Sequence, residues 1–447
     1  MLGLSLNLSG AAAEPQALWS RPALGRFISS PRILPSKGIA LAIVEPETGA
    51  MPMQGESAAL SESLIAVLDL ATGASRHAIR PRIDGVQDPL SVLDLAVGDS
   101  VIAVLASDAG QDDARRYFIL AYDAGSYAQL YRIEIPSPGY PRHVPNEGGH
   151  SLLIAGDHLL LSTRLRSRFA RSEPTMLEST RFSGWPDHLD PVLLDFDLAT
   201  GRFLRGLGLA EMDGTAKAGQ SGPRLPGPDD LFDGVLARQE TLFVSHPRPG
   251  DEGPPRLLGY DLTAGKPGPA AVIAGPEDRK LRLSAMDAKR AYYSAETPAA
   301  PEDGAVMRGE LLAVPRRGGA SPIRYSDPYA GDGGAVPLDA LAEQFGQTGT
   351  LPFTGSLFPG EVQVSGGHVV ASAPNTPGDR MGVTTLVIFE AETGARLAIL
   401  TADRPDEASL GDGFALAGDL LLVSVRRDLD QRPDALHDLV LYRLDYP

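Results

Sequence analysis

The sequence contains no cysteine and only two tryptophans, Trp19 and Trp185. Without cysteine there is no disulfide, no thiolate metal site and no Cys nucleophile. Positive charge is scarce as well: 40 Lys and Arg face 57 Asp and Glu, a net charge of −17. Nucleic-acid backbones are held by basic surfaces, so a nucleic-acid partner is not expected. The excess of negative charge favours solubility instead. No stretch approaches the roughly 18 apolar residues of a membrane helix, and membrane insertion is not expected either. The opening residues, MLGLSLNLSG, have neither a basic n-region nor an apolar block of signal-peptide length, so synthesis in the cytoplasm without the usual export signal is expected.

Motifs that carry chemistry are also missing. There is no G-x-S-x-G elbow for a nucleophilic serine. Ser100 and Ser356 read as turn residues. The eight histidines form no H-x-H and no H-E-x-x-H spacing, so no metal site is expected. His158 and His368, each just after a tight turn, are expected at the surface or at a strand edge. Gly265-Lys266 runs into Pro267 and lacks the rest of a phosphate-binding loop. No cofactor is expected. Acidic residues brought together from distant parts of the chain, as in glycoside hydrolases, would leave no trace in sequence spacing.

What the chain does have is a repeat. A β-prone run ends in an acidic residue and a glycine turn at 64–74 (LIAVLDLATGA), 193–202 (LLDFDLATGR), 257–266 (LLGYDLTAGK) and 386–395 (LVIFEAETGA). Weaker copies lie at 118–125 and 311–319, and 439–446 looks like a copy cut short before its turn. Glycine admits positive φ and the acid can accept from nearby backbone N–H groups, which makes each copy the start of a hairpin. A second pattern precedes each copy: two apolar strands around a tight turn, as in LDLAVGDSVIAVLA from Leu93, SLLIAGDHLLLSTR from Ser151 and FALAGDLLLVSV from Phe414. Related pairs start at Arg32, Gly234, Leu283 and Val362. Hairpin, connection, hairpin makes four strands, and seven such units predict an all-β, seven-bladed β-propeller of four-stranded antiparallel blades, one domain over residues 1–447.

The last unit has only three strands. Leu2, Leu4, Leu6 and Leu8 alternate with Gly3, Ser5, Asn7 and Ser9, so residues 2–8 are expected to supply the fourth strand and close the ring. Both kinds of turn then fall on one face. The long connections at 134–150, 165–190, 206–232 and 326–360 fall on the other, where variable function is expected.

The D-L-A-T-G turns at Asp69–Gly73 and Asp197–Gly201 resemble those of quinoprotein-type and YVTN-type propeller repeats. The resemblance covers most of the chain and implies the fold. Quinoprotein repeats carry a Trp a few residues after the glycine that docks neighbouring blades. None follows Gly73, Gly201, Gly265 or Gly394, which speaks against a quinone. Residues 412–425 (DGFALAGDLLLVSV) resemble an FG-GAP repeat, but the closely spaced oxygen ligands of its calcium loop are absent. The nearest approaches, Asp108 to Asp113 and Asp428 to Asp430, read as solvated loops. The LGLSL leader is similar to the starts of some tailed-phage structural proteins.

One segment reverses the sign of the chain. Arg164, Arg166, Arg168, Arg171 and Arg181 stand against Glu173 and Glu178, with Phe169, Phe182, Trp185 and His188 interleaved. Arginine forks and aromatic rings suit carboxylate, sulfate or sugar recognition; a solvated loop of paired charges is the plainer reading. The expected function is a non-catalytic binding or assembly module that takes a protein or polysaccharide on its loop face, with a phage or particle surface as one setting. The alternative is a carbohydrate-active hydrolase or lyase with carboxylates at the channel mouth.

Overall fold

A computed structural model describes residues 15–45 except 26, 63–85, 90–108, 116–135, 152–163, 192–207, 234–246 except 239, 256–268, 271–272, 280–297, 308–316, 321–326, 359–374, 384–401, 409–426 and 436–446. The described strands begin with β1 (Gln16–Gly25). Blade 1 follows, with β2 (Phe27–Leu34), β3 (Ile39–Glu45), β4 (Leu64–Asp69) and β5 (Ser75–Ile79). Blade 2 holds β6 (Ser91–Val97), β7 (Val101–Ser107), β8 (Tyr117–Asp123) and β9 (Gln129–Ile135). Blade 3 holds β10 (Leu152–Ala155), β11 (His158–Thr163), β12 (Val192–Asp197) and β13 (Phe203–Leu207). In blade 4, β14 (Gly234–Arg238), β15 (Thr241–His246) and β16 (Arg256–Asp261) are followed by an outer strand split into β17 (Lys266–Pro267) and β18 (Ala271–Val272). Blade 5 holds β19 (Lys280–Met286), β20 (Arg290–Thr297), β21 (Arg308–Pro315) and β22 (Ile323–Ser326). Blade 6 holds β23 (Val362–Ser365), β24 (His368–Pro374), β25 (Thr384–Glu390) and β26 (Arg396–Leu400). Last come β27 (Ser409–Ala417), β28 (Leu420–Arg426) and β29 (His437–Arg443). No helix among the described residues is long and apolar enough to cross a membrane.

The result is a seven-bladed β-propeller. There are seven antiparallel sheets, and the first strands β2, β6, β10, β14, β19, β23 and β27 touch one another in succession around a closed ring. Each joint between neighbouring blades holds its own apolar cluster. This explains the unbroken apolar runs. Along β3, Ile39, Leu41 and Ile43 face blade 2, while Ala40, Ala42 and Val44 face blade 7. The strand keeps its period of two, but both faces are buried.

The seventh blade draws from both ends of the chain, in the order β1-β29-β28-β27. The closing strand is Gln16–Gly25, which pairs with β29 from Gln16↔Arg443 to Gly25↔His437. The seat expected for residues 2–8 is therefore taken, because β28 holds the other edge of β29. Residues 2–8 themselves lie outside the described residues.

The first turns, and the second turns among the described residues, do lie on one face, and one hydrogen bond repeated in all seven blades ties the end of the third strand to the first turn. The N–H one residue beyond the third strand donates to the carbonyl of the first turn: Leu70 to Gly38, Ala124 to Ser100, Leu198 to Asp157, Leu262 to Glu240, Arg316 to Lys289, Ala391 to Gly367 and Leu444 to Asp419, all at 2.8–3.0 Å. The acidic residue shapes the second turn. Asp69 Oδ1 accepts from the Thr72 N–H at 2.9 Å and the Thr72 hydroxyl at 2.9 Å, and Gly73 completes the turn at φ +68°. In blade 2 the same position is held by Tyr127 at φ +61°.

The Asp69 carboxyl is held down at about 2, first by hydrogen bonds from Arg76 and then by those of Thr72. Its folded value lies below the unfolded one, so its contribution is complete above the ordinary carboxylate range and is lost as pH falls through about 2. A carboxyl titration followed by NMR is expected to place Asp69 near 2, and Arg76→Ala to move it back toward 3.8. A midpoint that ignores Arg76 would contradict this account.

Candidate functional site

The strand order sends every connection from second to third strand, and from one blade to the next, out of the face opposite the turns. Segment 164–191 starts and ends there, on Thr163 and Val192, which pair with each other across β11 and β12. Arg164, Arg166, Arg168, Arg171, Arg181, Trp185 and His188 all lie outside the described residues. What the structure places is their mount. Three expected loops are shorter than drawn from sequence: Glu134 and Ile135 belong to β9, Gly206 and Leu207 to β13, and Ser326 to β22.

Polar side chains also gather on the innermost strands. Arg32 on β2 donates through Nη1 to Pro31 O at 2.8 Å, and its Nη2 lies 3.6 Å from Asp94 Oδ1 on β6. Burial pulls the Arg32 pKa down, and the charges of Asp94 and Glu361 oppose that. Asp94 is buried and accepts from its neighbour Leu95 N at 2.8 Å and from Leu152 N of blade 3 at 2.8 Å. Gln363 Nε2 donates to Glu361 Oε1 at 2.7 Å and to Phe414 O of blade 7 at 2.6 Å, while its Oε1 accepts from Leu416 N at 2.8 Å. These groups staple blade 1 to 2, 2 to 3 and 6 to 7. A buried carboxylate or guanidinium is tolerated only with such partners. Bulges interrupt β2 between Ser29 and Arg32 and β6 between Val92 and Asp94, the device by which strands re-aim side chains. Among the described residues no three His, Cys, Asp or Glu side chains converge as a metal site.

A third group joins neighbouring blades near the turns. Trp19 Nε1 donates to Leu70 O at 2.8 Å and its ring covers Gly73. Tyr131 repeats the arrangement with its hydroxyl 2.8 Å from Leu198 O and its ring over Gly201, and burial raises its pKa to about 12. Arg205 donates to Leu262 O, lies over Gly265, and sits 5.5 Å from the Tyr260 ring. Tyr325 donates to Ala391 O at 2.7 Å. His77 stacks on Tyr127 at 4.8 Å. Four residues of three types, Trp, Tyr and Arg, thus donate to the same repeated carbonyl, doing the docking that the quinoprotein-type pattern assigns to Trp. Sequence reading missed this by looking for Trp alone. The available signal was a planar side chain four residues after the turn's left-handed position, at His77, Tyr131 and Arg205.

The two turn histidines open β11 and β24, where His158 is partly buried and His368 buried. His158 Nδ1 lies 2.8 Å from Oδ1 of Asp195, which is fully buried and also receives Arg205 Nε at 2.9 Å. His368 is buried, packs edge-on against Tyr446 at 5.9 Å, and has its pKa lowered by burial. Tyr446 of the next blade covers His368, whereas His158 is held by Asp195 of its own blade. Asp108, expected in a solvated loop, is buried as well, accepting Arg116 N at 2.9 Å and Arg116 Nε at 2.6 Å.

No family model matches the sequence, and no curated protein matches it either. Solved structures do. The β-propeller domain of the trilobed protease from Pyrococcus furiosus is 12% identical, with 94% of this chain and 95% of that one covered at a TM-score of 0.49. The quinohemoprotein alcohol dehydrogenase ADHIIG from Pseudomonas putida HK5 is 12% identical over 96% of this chain and 76% of that one, TM-score 0.44. BamB from Moraxella catarrhalis is 12% identical over 96% and 99%, TM-score 0.36. Similarity at this level concerns the fold, which the strand order already gives, and fold does not carry function.

Proposed function

We propose that this chain is a non-catalytic binding and assembly module that holds a protein or polysaccharide partner on its loop face through the 164–188 segment. One observation supports the reading above others. All seven blades are fastened at one end by the same N–H···O=C bond, whereas every long connection enters at the opposite end. A ring built this way has one repeated face and one variable face, and recognition belongs on the variable one. Arginine forks and rings at Arg164, Arg166, Arg168 and Trp185 suit anionic groups on a glycan or an acidic protein surface. A particle surface is the setting in which such a module stays bound within a larger assembly.

A glycan array, with each bound sugar checked afterwards for cleavage, and a pull-down in parallel, test the reading. Binding without cleavage is expected, and R164A/R166A/R168A is expected to abolish it without changing the melting curve. Cleavage of a bound sugar would transfer the chain to the hydrolase or lyase alternative. Binding that survives the triple substitution would remove the segment from the site.

A further inference from the structure

On the turn face, the first turns of blades 5 and 6 stand apart around a cleft. Elsewhere a turn residue reaches back over the preceding blade: Glu240 of blade 4 lies against Gly156 of blade 3, and Asp99 of blade 2 accepts the Ser36 hydroxyl of blade 1 at 2.7 Å. The residue of blade 6 that corresponds to Glu240, by its carbonyl's bond to the third strand, is Gly367. It has no side chain, and nothing lies within 4 Å of where a Cβ would stand. Its neighbour Gly366 packs tightly on Gly418 of blade 7. A cleft of about 510 Å³ is left between the turns of blades 5 and 6, well within the range of small-molecule sites, about 300–1,000 Å³.

We propose that this cleft binds a small carboxylate with an apolar body. Met286, Val364 and Ala391 line it with apolar surface, and Lys289 and Glu392 supply its charge. Lys289 Nζ reaches across to Glu392 Oε1 at 2.7 Å, while Glu392 Oε2 is held separately by Arg290 Nη2 at 2.7 Å. The two guanidine and ammonium partners differ in freedom. Arg290 is 14% exposed and also donates to Ala391 O at 2.9 Å, whereas Lys289 is 70% exposed. A ligand carboxylate can therefore take the lysine and leave Glu392 still paired with Arg290, so no charge is orphaned. A cationic ligand would instead have to displace Lys289 from Glu392 Oε1. Asp287, the other acid of the cleft, is committed to the N–H groups of Lys289 at 2.6 Å and Arg290 at 2.7 Å and to the Tyr292 hydroxyl at 2.7 Å.

The test is ligand-observed saturation-transfer NMR on the full chain with 4-phenylbutyrate, against 4-phenylbutan-1-ol as the uncharged control. Saturable binding of the acid is expected, with the alcohol at least about tenfold weaker. Lys289→Met is expected to bring the acid down to the level of the alcohol. Gly367→Asn, a residue that tolerates the left-handed region, places a side chain in the cleft and is expected to weaken both, with the melting curve confirming that the variant folds. No saturable binding up to about 5 mM, a scale of the weakest specific affinities, would overturn the proposal. So would equal binding of acid and alcohol, or an affinity unmoved by either substitution.

Discussion

A chain lacking residues 1–25 is expected to lose its cooperative melting transition, while a chain lacking only residues 1–12 is expected to melt like the full protein. The difference lies in β1. Its removal leaves β29 with an unpaired edge, and a bare strand edge invites aggregation. It also opens the joint where Trp19, Leu68, Leu422 and Leu441 pack together, so the ring is no longer closed between first and last blades. Trp19 concentrates the effect. It is 9% exposed, and its ring nitrogen is bonded to Leu70 O of blade 1. Trp19→Ala is expected to cost about 3–4 kcal/mol, the usual range for deleting a buried aromatic side chain. Denaturant unfolding measures both effects. Equal midpoints for the full chain and the chain without residues 1–25 would show that closure by β1 contributes nothing.

The way the ring closes also marks the limit of what could be read from the sequence. Alternation at Leu2, Leu4, Leu6 and Leu8 is a strand signal, but a period of two does not say which partner a strand takes. The strand that closes the ring contains Pro22, which counts against a strand in a sheet interior. It is admitted here because β1 lies at the sheet edge, and the pairing is irregular between Arg21 and Gly25. The blades themselves were legible because β3, β7 and their equivalents are buried on both faces, which leaves unbroken apolar runs. The blade 2 turn read weakly because Tyr127 stands where glycine stands elsewhere. The blade joints were less visible. Arg32 and Asp94, or His158 and Asp195, meet across intervals that no local pattern spans, and burial of a polar residue depends on a partner the chain supplies much later. Of the loop-face candidates, the sequence shows the charge reversal at 164–188, and the structure shows the two strands from which that segment springs.

Those two strands carry the other large expected effect. Asp195→Ala is expected to destabilise the protein by about 3 kcal/mol, the order of loss when one partner of a buried ion pair is removed. Asp195 is fully buried on β12 and bridges His158 on β11 to Arg205 on β13. Arg205 in turn fastens blade 3 to blade 4 through Leu262 O. With the carboxylate gone, a guanidinium only 28% exposed keeps its desolvation cost and loses its counter-charge. Replacing all three residues together, by Asp195→Leu, His158→Leu and Arg205→Met, leaves no orphaned charge and is expected to recover much of the loss. Denaturant midpoints of the single and triple variants distinguish this account from simple loss of volume, in which the triple variant would be the worse of the two. The position matters for function as well. β11 and β12 are the strands whose far ends bear segment 164–191, so the network acts on the proposed recognition loop through these two strands, from their turn end. Asp195→Ala is therefore expected to weaken partner binding at temperatures where the fold persists, and to do so through faster dissociation, as a loosened mount predicts.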